Sequence, residues 1–175
     1  MNLELYRPEH NTDDALRAMR WYARSQYTTP IIQDLAQEIS GDIHPGDKTS
    51  QMLAVLHWVK ANLEYVKDEQ EANRLFGTVG DLEMIKSPRA VLESGRYDCD
   101  CGATLIASLF LAMGIRTRFV AVGFDPWEVT GPDGYDHVYC QGMNEAGQWV
   151  IVDPVAHPNE QSMVLDIKQV KIYDV

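Results

Sequence analysis

The sequence predicts an α+β fold in which several helices precede a mostly antiparallel sheet. Three observations support this fold class. Apolar residues recur with helical spacing through residues 12–63, between residues that begin and end helices. Residues 104–113 are apolar nearly all round, which is typical of a buried helix. After Gly114 the chain changes to short segments rich in valine, threonine and aromatic residues, as expected for strands joined by turns.

The 175 residues suit one domain, which we take to be residues 1–175. Within it, residues 1–86 form a helical N-terminal part, and residues 87–175 contain the sheet and the helix before it. Hydrophobic residues make up 45% of the chain and charged residues 23%, so a core can form without metal or disulfide bonds.

The chain is strongly acidic, with a net charge of −11. This charge argues against a nucleic-acid partner, because it repels a polyanion. No run reaches the roughly 20 apolar residues needed to cross a bilayer, and the first residues lack the pattern of a signal peptide. We therefore expect a cytoplasmic protein with no membrane contact. Three cysteines, an odd number, argue against a disulfide framework.

Three helices are predicted in the N-terminal part. Asn11 or Thr12 caps the first, since either side chain can accept a hydrogen bond from the first turn. Pro30 opens the second, because proline is tolerated at the first helical position, and Gly41 ends it. The third begins near residues 47–50. We expect the leucine, isoleucine, methionine and tryptophan side chains of these helices to form core.

The second half contains the elements around which a site can form. Residues 66–86, which precede them, are polar and irregular. Ser87-Pro88 begins a short helix that Gly95 ends. Cys99 begins the buried helix, and Gly114 ends it. Strands are then predicted at residues 116–124, 137–143, 148–152 and 170–173, with turns at Pro132-Asp133-Gly134 and Asn144-Glu145-Ala146-Gly147.

Cys99, His137 and Asp153 are placed so that they can form a catalytic triad. The N-terminus of a helix stabilises a thiolate, so we expect the pKa of Cys99 to be lowered. His137 begins one predicted strand and Asp153 ends the next. If these strands pair as a hairpin through the turn at residues 144–147, the two side chains become neighbours. A general base and its orienting carboxylate need that arrangement.

Four segments resemble the motifs of the transglutaminase-like superfamily, in the same order. Residues 98–103, Asp-Cys-Asp-Cys-Gly-Ala, resemble its nucleophile motif, Gly-Asp-Cys-Asp-Asp-x-Ala. Residues 114–120, Gly-Ile-Arg-Thr-Arg-Phe-Val, resemble Gly-Ile-Pro-Ala-Arg-x-Val. Residues 137–139, His-Val-Tyr, resemble His-x-Trp/Tyr, and residues 149–154, Trp-Val-Ile-Val-Asp-Pro, resemble Trp-x-x-x-Asp-Pro. The size of the chain and the Ser-Pro-Arg at residues 87–89 make it most similar to versions carried by bacteriophages and prophages.

This resemblance implies a papain-like, transglutaminase-core fold, with residues 87–175 as the catalytic core and the nucleophile helix packed on the sheet. It implies Cys99 as nucleophile, His137 as general base and then acid, and Asp153 as the residue that orients the imidazole. The backbone N–H of Cys99 would be one oxyanion donor. The family's second donor is usually an upstream side chain. The sequence does not identify it, and Trp58 lies too deep in a helical pattern to be nominated.

The chain departs from the family motif at two places. Cys101 stands where the family often has aspartate, and Arg96-Tyr97 stands where a glycine commonly precedes the Asp-Cys pair. The first departure raises the question of which thiol is the nucleophile. Cys99 is selected because Ala103 and Gly114-Ile115 then align with the corresponding residues of the family motifs. We interpret Cys101 and Cys140 as packing residues, since an unreactive cysteine behaves as a small hydrophobe.

No metal or other cofactor is predicted. Zinc-type ligands are present at Cys99, Cys101, His137, Cys140 and His157. Structural zinc sites, however, favour ligand pairs spaced by two to four residues. Only His137 and Cys140 have this spacing, and their odd offset places them on opposite faces of a strand. A redox or metal-binding protein built on the two neighbouring thiols is therefore the weaker alternative. His57 and His157 are interpreted as structural.

The function predicted from these residues and the resemblance is acyl transfer on a peptide or side-chain amide. A Cys99 thiolate attacks the carbonyl, and water or an amine resolves the thioester. Hydrolysis is favoured, because small stand-alone relatives resemble proteases and the sequence has no calcium-binding EF-hand loop. The alternative is a phage virion or assembly protein that uses the fold mainly for binding. Its partners would then be virion components, in the host cytoplasm or the virion.

Overall fold

Helices form the N-terminal part of the chain, as predicted. The structure is a computed structural model and describes residues 5–6, 12–67, 70, 84–126, 134–155 and 167–175. Within these residues the helices are α1 (Thr12–Gln26), α2 (Pro30–Ser40), α3 (Lys48–Asn62), α4 (Pro88–Ser94) and α5 (Cys99–Ala112). The predictions made for Asn11, Pro132-Asp133, His157 and most of residues 66–86 lie outside the described residues.

The strands are short in the N-terminal half and longer in the C-terminal half. They are β1 (Leu5–Tyr6), β2 (Glu64–Tyr65), β3 (Ile85–Lys86), β4 (Arg96–Tyr97), β5 (Thr117–Gly123), β6 (His137–Met143), β7 (Trp149–Val152) and β8 (Gln169–Asp174). The last four form an antiparallel sheet in the order β7-β6-β5-β8. β1 pairs antiparallel with β3, and β2 pairs parallel with β4. The fold is α+β, with N-terminal helices and a four-stranded antiparallel sheet, as predicted.

Helix α5 lies at the centre of the core. It contacts β5 and β6 of the sheet as well as α1, α2 and α4. Its side chains Leu105, Ile106, Leu109 and Phe110 are fully buried. Burying a side chain of this size contributes about 1.5–3 kcal/mol, so apolar packing holds the helix and the residue at its start in place. None of the helices in the described part of the chain is long and apolar enough to span a membrane.

Local signals begin and end the short helix before the site. The Ser87 hydroxyl oxygen caps α4 by accepting from the Ala90 N–H at 3.3 Å. Pro88 occupies the first helical position, where its missing N–H has no cost. Gly95 ends the helix with a φ of 68°, a left-handed conformation that glycine adopts without strain. The chain then turns directly into β4 and α5.

Three apolar side chains predicted to lie in the core are exposed. Trp21 is 63% exposed, Leu53 44% and Ile31 39%. Each is adjacent in sequence to a buried residue of the same helix. Adjacent positions of an α-helix point about 100° apart, so a helix that buries one stripe leaves these neighbours outside it. The prediction was wrong for these three residues because each helix buries only one side, and not every apolar residue of the helix lies on that side.

The four strands β1 to β4 are absent from the elements predicted from the sequence. Each is two residues long, too short for an alternating pattern to be recognised. β2 matters for the site because its pairing with β4 sets Tyr65 opposite Tyr97, just before the nucleophile helix.

The sheet has two faces of different character. One face packs on α5 and includes the row Phe119, Cys140 and Tyr173, of which the first two are fully buried and Tyr173 is partly buried. The other, called here the outer face, carries the alternate residues His137, Tyr139 and Gln141 of β6, Arg118, Val120 and Val122 of β5, Trp149 and Ile151 of β7, and Val170, Ile172 and Asp174 of β8.

Candidate active site

Cys99 is the first residue of α5. The helix begins there because Asp98 caps it, with Oδ1 accepting from the Cys101 N–H at 3.0 Å. Residues 100–110 of the helix are buried, so the backbone N–H of Cys99 has a fixed position at its N-terminus.

The Cys99 residue is partly exposed, while its thiol lies against the backbone of β6. Burial and the Asp100 and Asp98 carboxylates raise the pKa of the thiol well above its usual value of 9.0. The backbone N–H groups of Val138 and Asp100 hydrogen bond to the sulfur and act in the opposite direction. The expectation that the helix start lowers this pKa is therefore wrong for the resting protein, because desolvation and two adjacent acidic residues outweigh the helix N-terminus.

His137 and Asp153 form the contact expected from a hairpin. β6 and β7 pair antiparallel, and His137 Nε2 lies 2.7 Å from Asp153 Oδ2. Only 19% of the histidine side chain and 11% of the aspartate side chain are exposed. The other carboxylate oxygen, Oδ1, accepts from the Val155 N–H at 3.0 Å, which fixes the carboxylate. Since an ionised carboxylate only accepts, the proton of the neutral imidazole lies on Nε2 and Nδ1 keeps the lone pair.

The predicted turn between β6 and β7 produces this pairing. Asn144 Oδ1 accepts from the Ala146 N–H at 3.1 Å and from the Gln148 N–H at 2.8 Å. Gly147 has a φ of 76°, which favours glycine. The turn thus aligns the two strands so that the start of β6 and the end of β7 meet.

The structure brings the three predicted triad residues to one end of the sheet. Among the described residues, no hydrogen bond joins the Cys99 thiol directly to the His137 ring. The two are linked through the backbone instead, since the Val138 N–H that reaches the sulfur follows His137 in the chain. Catalytic contacts of this kind often tighten only when substrate binds. The histidine–carboxylate contact is formed, and the Cys99 thiol lies against the backbone of Val138, the residue that follows His137.

Tyr65 is a site residue that the sequence did not reveal. Its ring and that of Tyr97 lie 5.7 Å apart in an edge arrangement. Burial, followed by the charge of Cys99, raises the pKa of the Tyr65 phenol to about 12, and Asp153 adds to the shift. The Cys99 and Asp153 side chains therefore both act on the phenol, which stays protonated at neutral pH.

Tyr97 occupies the position at which the family motif commonly has glycine. Its buried ring packs on the first turn of α5, where Gly102 has no side chain. A Cβ at Gly102 would lie 2.6 Å from Tyr97 Cδ2 and 3.4 Å from Pro154 Cγ. The Tyr97 hydroxyl also lies 3.5 Å from the Pro154 carbonyl oxygen, to which it donates. Tyr97 thus joins the nucleophile helix to the residue that follows Asp153.

Cys101 and Cys140 are fully buried and occupy packing positions, as predicted. The Cys101 sulfur accepts from the Lys86 N–H at 3.1 Å, and its thiol donates to the Met84 carbonyl oxygen at 3.4 Å. Cys140 Sγ lies 2.9 Å from Thr117 Oγ1. Burial raises the pKa of both thiols, to about 12 for Cys140. Both thiols are therefore protonated and inaccessible.

Asp98, Asp100 and Cys101 each place a metal-type ligand atom within 4.8 Å of the others. The carboxylate of Asp98 accepts from the Cys101 N–H, and the Cys101 sulfur contacts the backbone of Lys86 and Met84. These contacts account for the positions of Asp98 and Cys101 at the start of α5.

Two solved structures share the fold. A candidate protease of Parabacteroides distasonis ATCC 8503 aligns with 91% of this chain, at a TM-score of 0.60 and 15% identity. A candidate cysteine protease of Cytophaga hutchinsonii aligns with 82% of this chain, at a TM-score of 0.51 and 18% identity. The chain spans 28% of the first protein and 50% of the second. At such identities the likeness establishes the fold alone.

No curated protein matches the sequence. Both similar structures come from bacteria, so the narrower similarity to bacteriophage proteins has no support among them. Residues 33–154, which are more than half of the chain and include Cys99, His137 and Asp153, match the transglutaminase-like superfamily. The chain belongs to the transglutaminase-like superfamily.

Proposed function

We propose that the chain is a cysteine peptidase or amidase, which transfers an acyl group from a peptide amide to Cys99 and then to water. One observation carries this proposal. His137 is the first residue of β6, and its Nε2 lies 2.7 Å from Asp153 Oδ2. The next residue, Val138, has the backbone N–H that hydrogen bonds to the Cys99 sulfur. A thiol beside a histidine that a carboxylate orients is the arrangement used for nucleophilic acyl transfer.

The first half-reaction needs a proton acceptor, because the raised pKa leaves the resting Cys99 thiol neutral. When substrate binds, His137 Nδ1 accepts the thiol proton while the sulfur bonds to the amide carbon. Asp153 stabilises the imidazolium through its contact with Nε2. The leaving amine then takes the proton from Nδ1, the C–N bond breaks, and Cys99 carries the acyl group as a thioester.

Two hydrogen-bond donors stabilise the oxyanion in this mechanism. The first is the backbone N–H of Cys99, where the helix N-terminus favours negative charge. We assign the second to the Tyr65 hydroxyl, because the phenol is protonated and its pKa responds to both Cys99 and Asp153. The edge contact with the Tyr97 ring holds it in place. Removing one such donor typically lowers kcat about 10²–10³-fold.

Water completes the cycle in the second half-reaction. His137 Nδ1 takes a proton from water, which attacks the thioester, and Cys99 leaves and regains the proton. A primary amine in place of water would make the same chain a crosslinking transglutaminase. The likeness to candidate proteases favours water.

The proposal is tested with a mixed peptide library incubated in ¹⁸O-labelled water. We expect the wild-type protein to produce new carboxylates that carry the label, and intact-protein mass spectrometry to detect an acyl adduct on Cys99. Cys99→Ala and His137→Ala should each lower the cleavage rate by at least about a thousandfold. A fluorescent primary amine in a parallel reaction separates hydrolysis from amine transfer, because only a transglutaminase would incorporate it.

Cys101→Ala is the matched control, since it removes a buried thiol two positions away. It should keep both cleavage and the adduct on Cys99. Full cleavage by Cys99→Ala would show that the mechanism is wrong. If the wild-type protein neither cleaves peptides nor incorporates the amine, the alternative of a binding or assembly protein takes precedence.

A further inference from the structure

Arg116, Arg118 and Trp149 form a cationic patch at the outer face of the sheet, called here the Arg–Trp patch. The Arg118 guanidinium lies 4.0 Å from the centre of the Trp149 ring and the Arg116 guanidinium 5.4 Å. Arg118 Nε donates to Gln141 Oε1 at 2.8 Å. That bond engages one edge of the guanidinium, so the two Nη nitrogens remain as a pair of donors that fits a carboxylate.

Within the described residues, neither Arg116 nor Arg118 has a carboxylate at ion-pair distance. Asp174 is the direct cross-strand partner of Arg118, yet the arginine side chain lies over Trp149 and bonds to Gln141. Stacking on an indole ring holds a cation without neutralising it. In a chain of net charge −11, the Arg–Trp patch is therefore a local positive site to which an external anion can bind.

The Arg–Trp patch continues towards the triad along β6. Gln141, Tyr139 and His137 are alternate residues on the outer face, so their side chains follow one another at about 7 Å. The charge of Arg118 acts on the Tyr139 phenol, and the Tyr139 ring lies 6.1 Å from the His137 ring. Gln141 is therefore about 13 Å from His137, which is the length of roughly four extended residues.

We propose that Arg118 and Arg116 bind a carboxylate of the peptide substrate, three or four residues from the amide that Cys99 attacks. This inference rests on the proposed function for the position of the reacting amide, and it names the substrate class as peptides that carry a carboxylate at this distance from that amide. The carboxylate comes either from an acidic side chain or from the C-terminus of the peptide. Both sources present the same charge and the same pair of acceptor oxygens.

The test compares matched peptides bound to the full-length Cys99→Ala protein, which cannot form the thioester. One pool pairs end-blocked decapeptides containing Glu with partners containing Gln at the same position. A second pool pairs free C-terminal carboxylates with C-terminal amides. Bound peptides are separated by ultrafiltration and counted by mass spectrometry. We expect about tenfold enrichment of the acidic member in one pool, which identifies the source of the carboxylate.

Arg118→Gln should abolish the enrichment and Arg116→Gln should reduce it. Arg116 is exposed, so its variant keeps the test decisive if Arg118→Gln fails to fold. Arg24→Gln, which changes an exposed arginine of α1, is the matched control and should keep the enrichment. No acid-dependent enrichment, or an enrichment that both Arg116→Gln and Arg118→Gln retain, would overturn the proposal.

The outcomes separate this inference from the proposed function. Suppose that binding of the carboxylate-bearing peptide depends on Arg118, but the wild-type protein cleaves no peptide. This result would support carboxylate binding at the Arg–Trp patch and contradict the proposed peptidase activity. Cleavage that uses Glu and Gln peptides equally, and also uses free C-terminal carboxylates and C-terminal amides equally, would support the peptidase and contradict the proposed carboxylate site.

Discussion

Replacing Gly102 with alanine tests whether the packing of Tyr97 on α5 holds the site together. The new Cβ would lie 2.6 Å from Tyr97 Cδ2, about 1 Å inside a normal carbon–carbon contact. Tyr97 is only 3% exposed, so its ring has little room to move. Overpacking costs about 1–3 kcal/mol, while alanine contributes up to about 1 kcal/mol over glycine in a helix. Because the contact is this short, we expect a net loss of roughly 1–2 kcal/mol.

Thermal unfolding measures this loss directly. For a chain of this length, the expected change lowers Tm by roughly 2–8 °C. Cleavage should also decrease, since Tyr97 contacts Pro154 beside Asp153. A Tyr97→Ala background is the control: with the ring removed, Gly102→Ala should stabilise the protein by up to about 1 kcal/mol. A Gly102→Ala protein as stable as the wild type, or an equal loss in both backgrounds, would refute the reasoning.

Three further predictions concern the triad and its surroundings. Tyr65→Phe keeps the ring and removes the hydroxyl, so steady-state kinetics should show kcat lowered about 10²–10³-fold with little change in KM. An unchanged kcat would show that the Tyr65 hydroxyl does not donate to the oxyanion. Because the pKa of the Cys99 thiol is raised, alkylation of the resting protein by iodoacetamide should increase only at alkaline pH. Asp100→Asn removes a charge that raises this pKa and should move the labelling curve to lower pH; a curve that stays in place contradicts the assigned cause. Asp153→Ala should lower kcat/KM by about 10⁴-fold, whereas Asp153→Asn should keep more activity because its amide oxygen still accepts from Nε2–H; equal losses would show that hydrogen bonding to the imidazole is not the role of this residue.

Features with local causes could be predicted from the sequence. The start of α4 at Ser87-Pro88 and its end at Gly95 follow from a cap, a proline and a left-handed glycine, all within a few residues. The contact between His137 and Asp153 could also be predicted, because a single turn between two short strands determines which strand ends meet.

Features that depend on residues far apart in the chain could not be predicted. Tyr65 lies at the site because β2 pairs with β4, which is more than 30 positions further along the chain. A two-residue strand is too short for its sequence to indicate that pairing. Trp21 is exposed because the stripe that α1 buries is set by the surface of α5, with which α1 packs.

The sequence by itself determined the order of the helices and of the four strands of the C-terminal sheet, the ends of the hairpin and the identity of Cys99 as the thiol at a helix start. Only the tertiary structure decided that this thiol is neutral at rest, that Tyr65 lies beside it, and that Arg118 stacks on Trp149 rather than pairing with Asp174. The physical reason is the range of the interactions involved. Caps, turns and periodicity act over a few residues, whereas desolvation, charge and ring stacking depend on whatever the folded chain brings within a few ångströms.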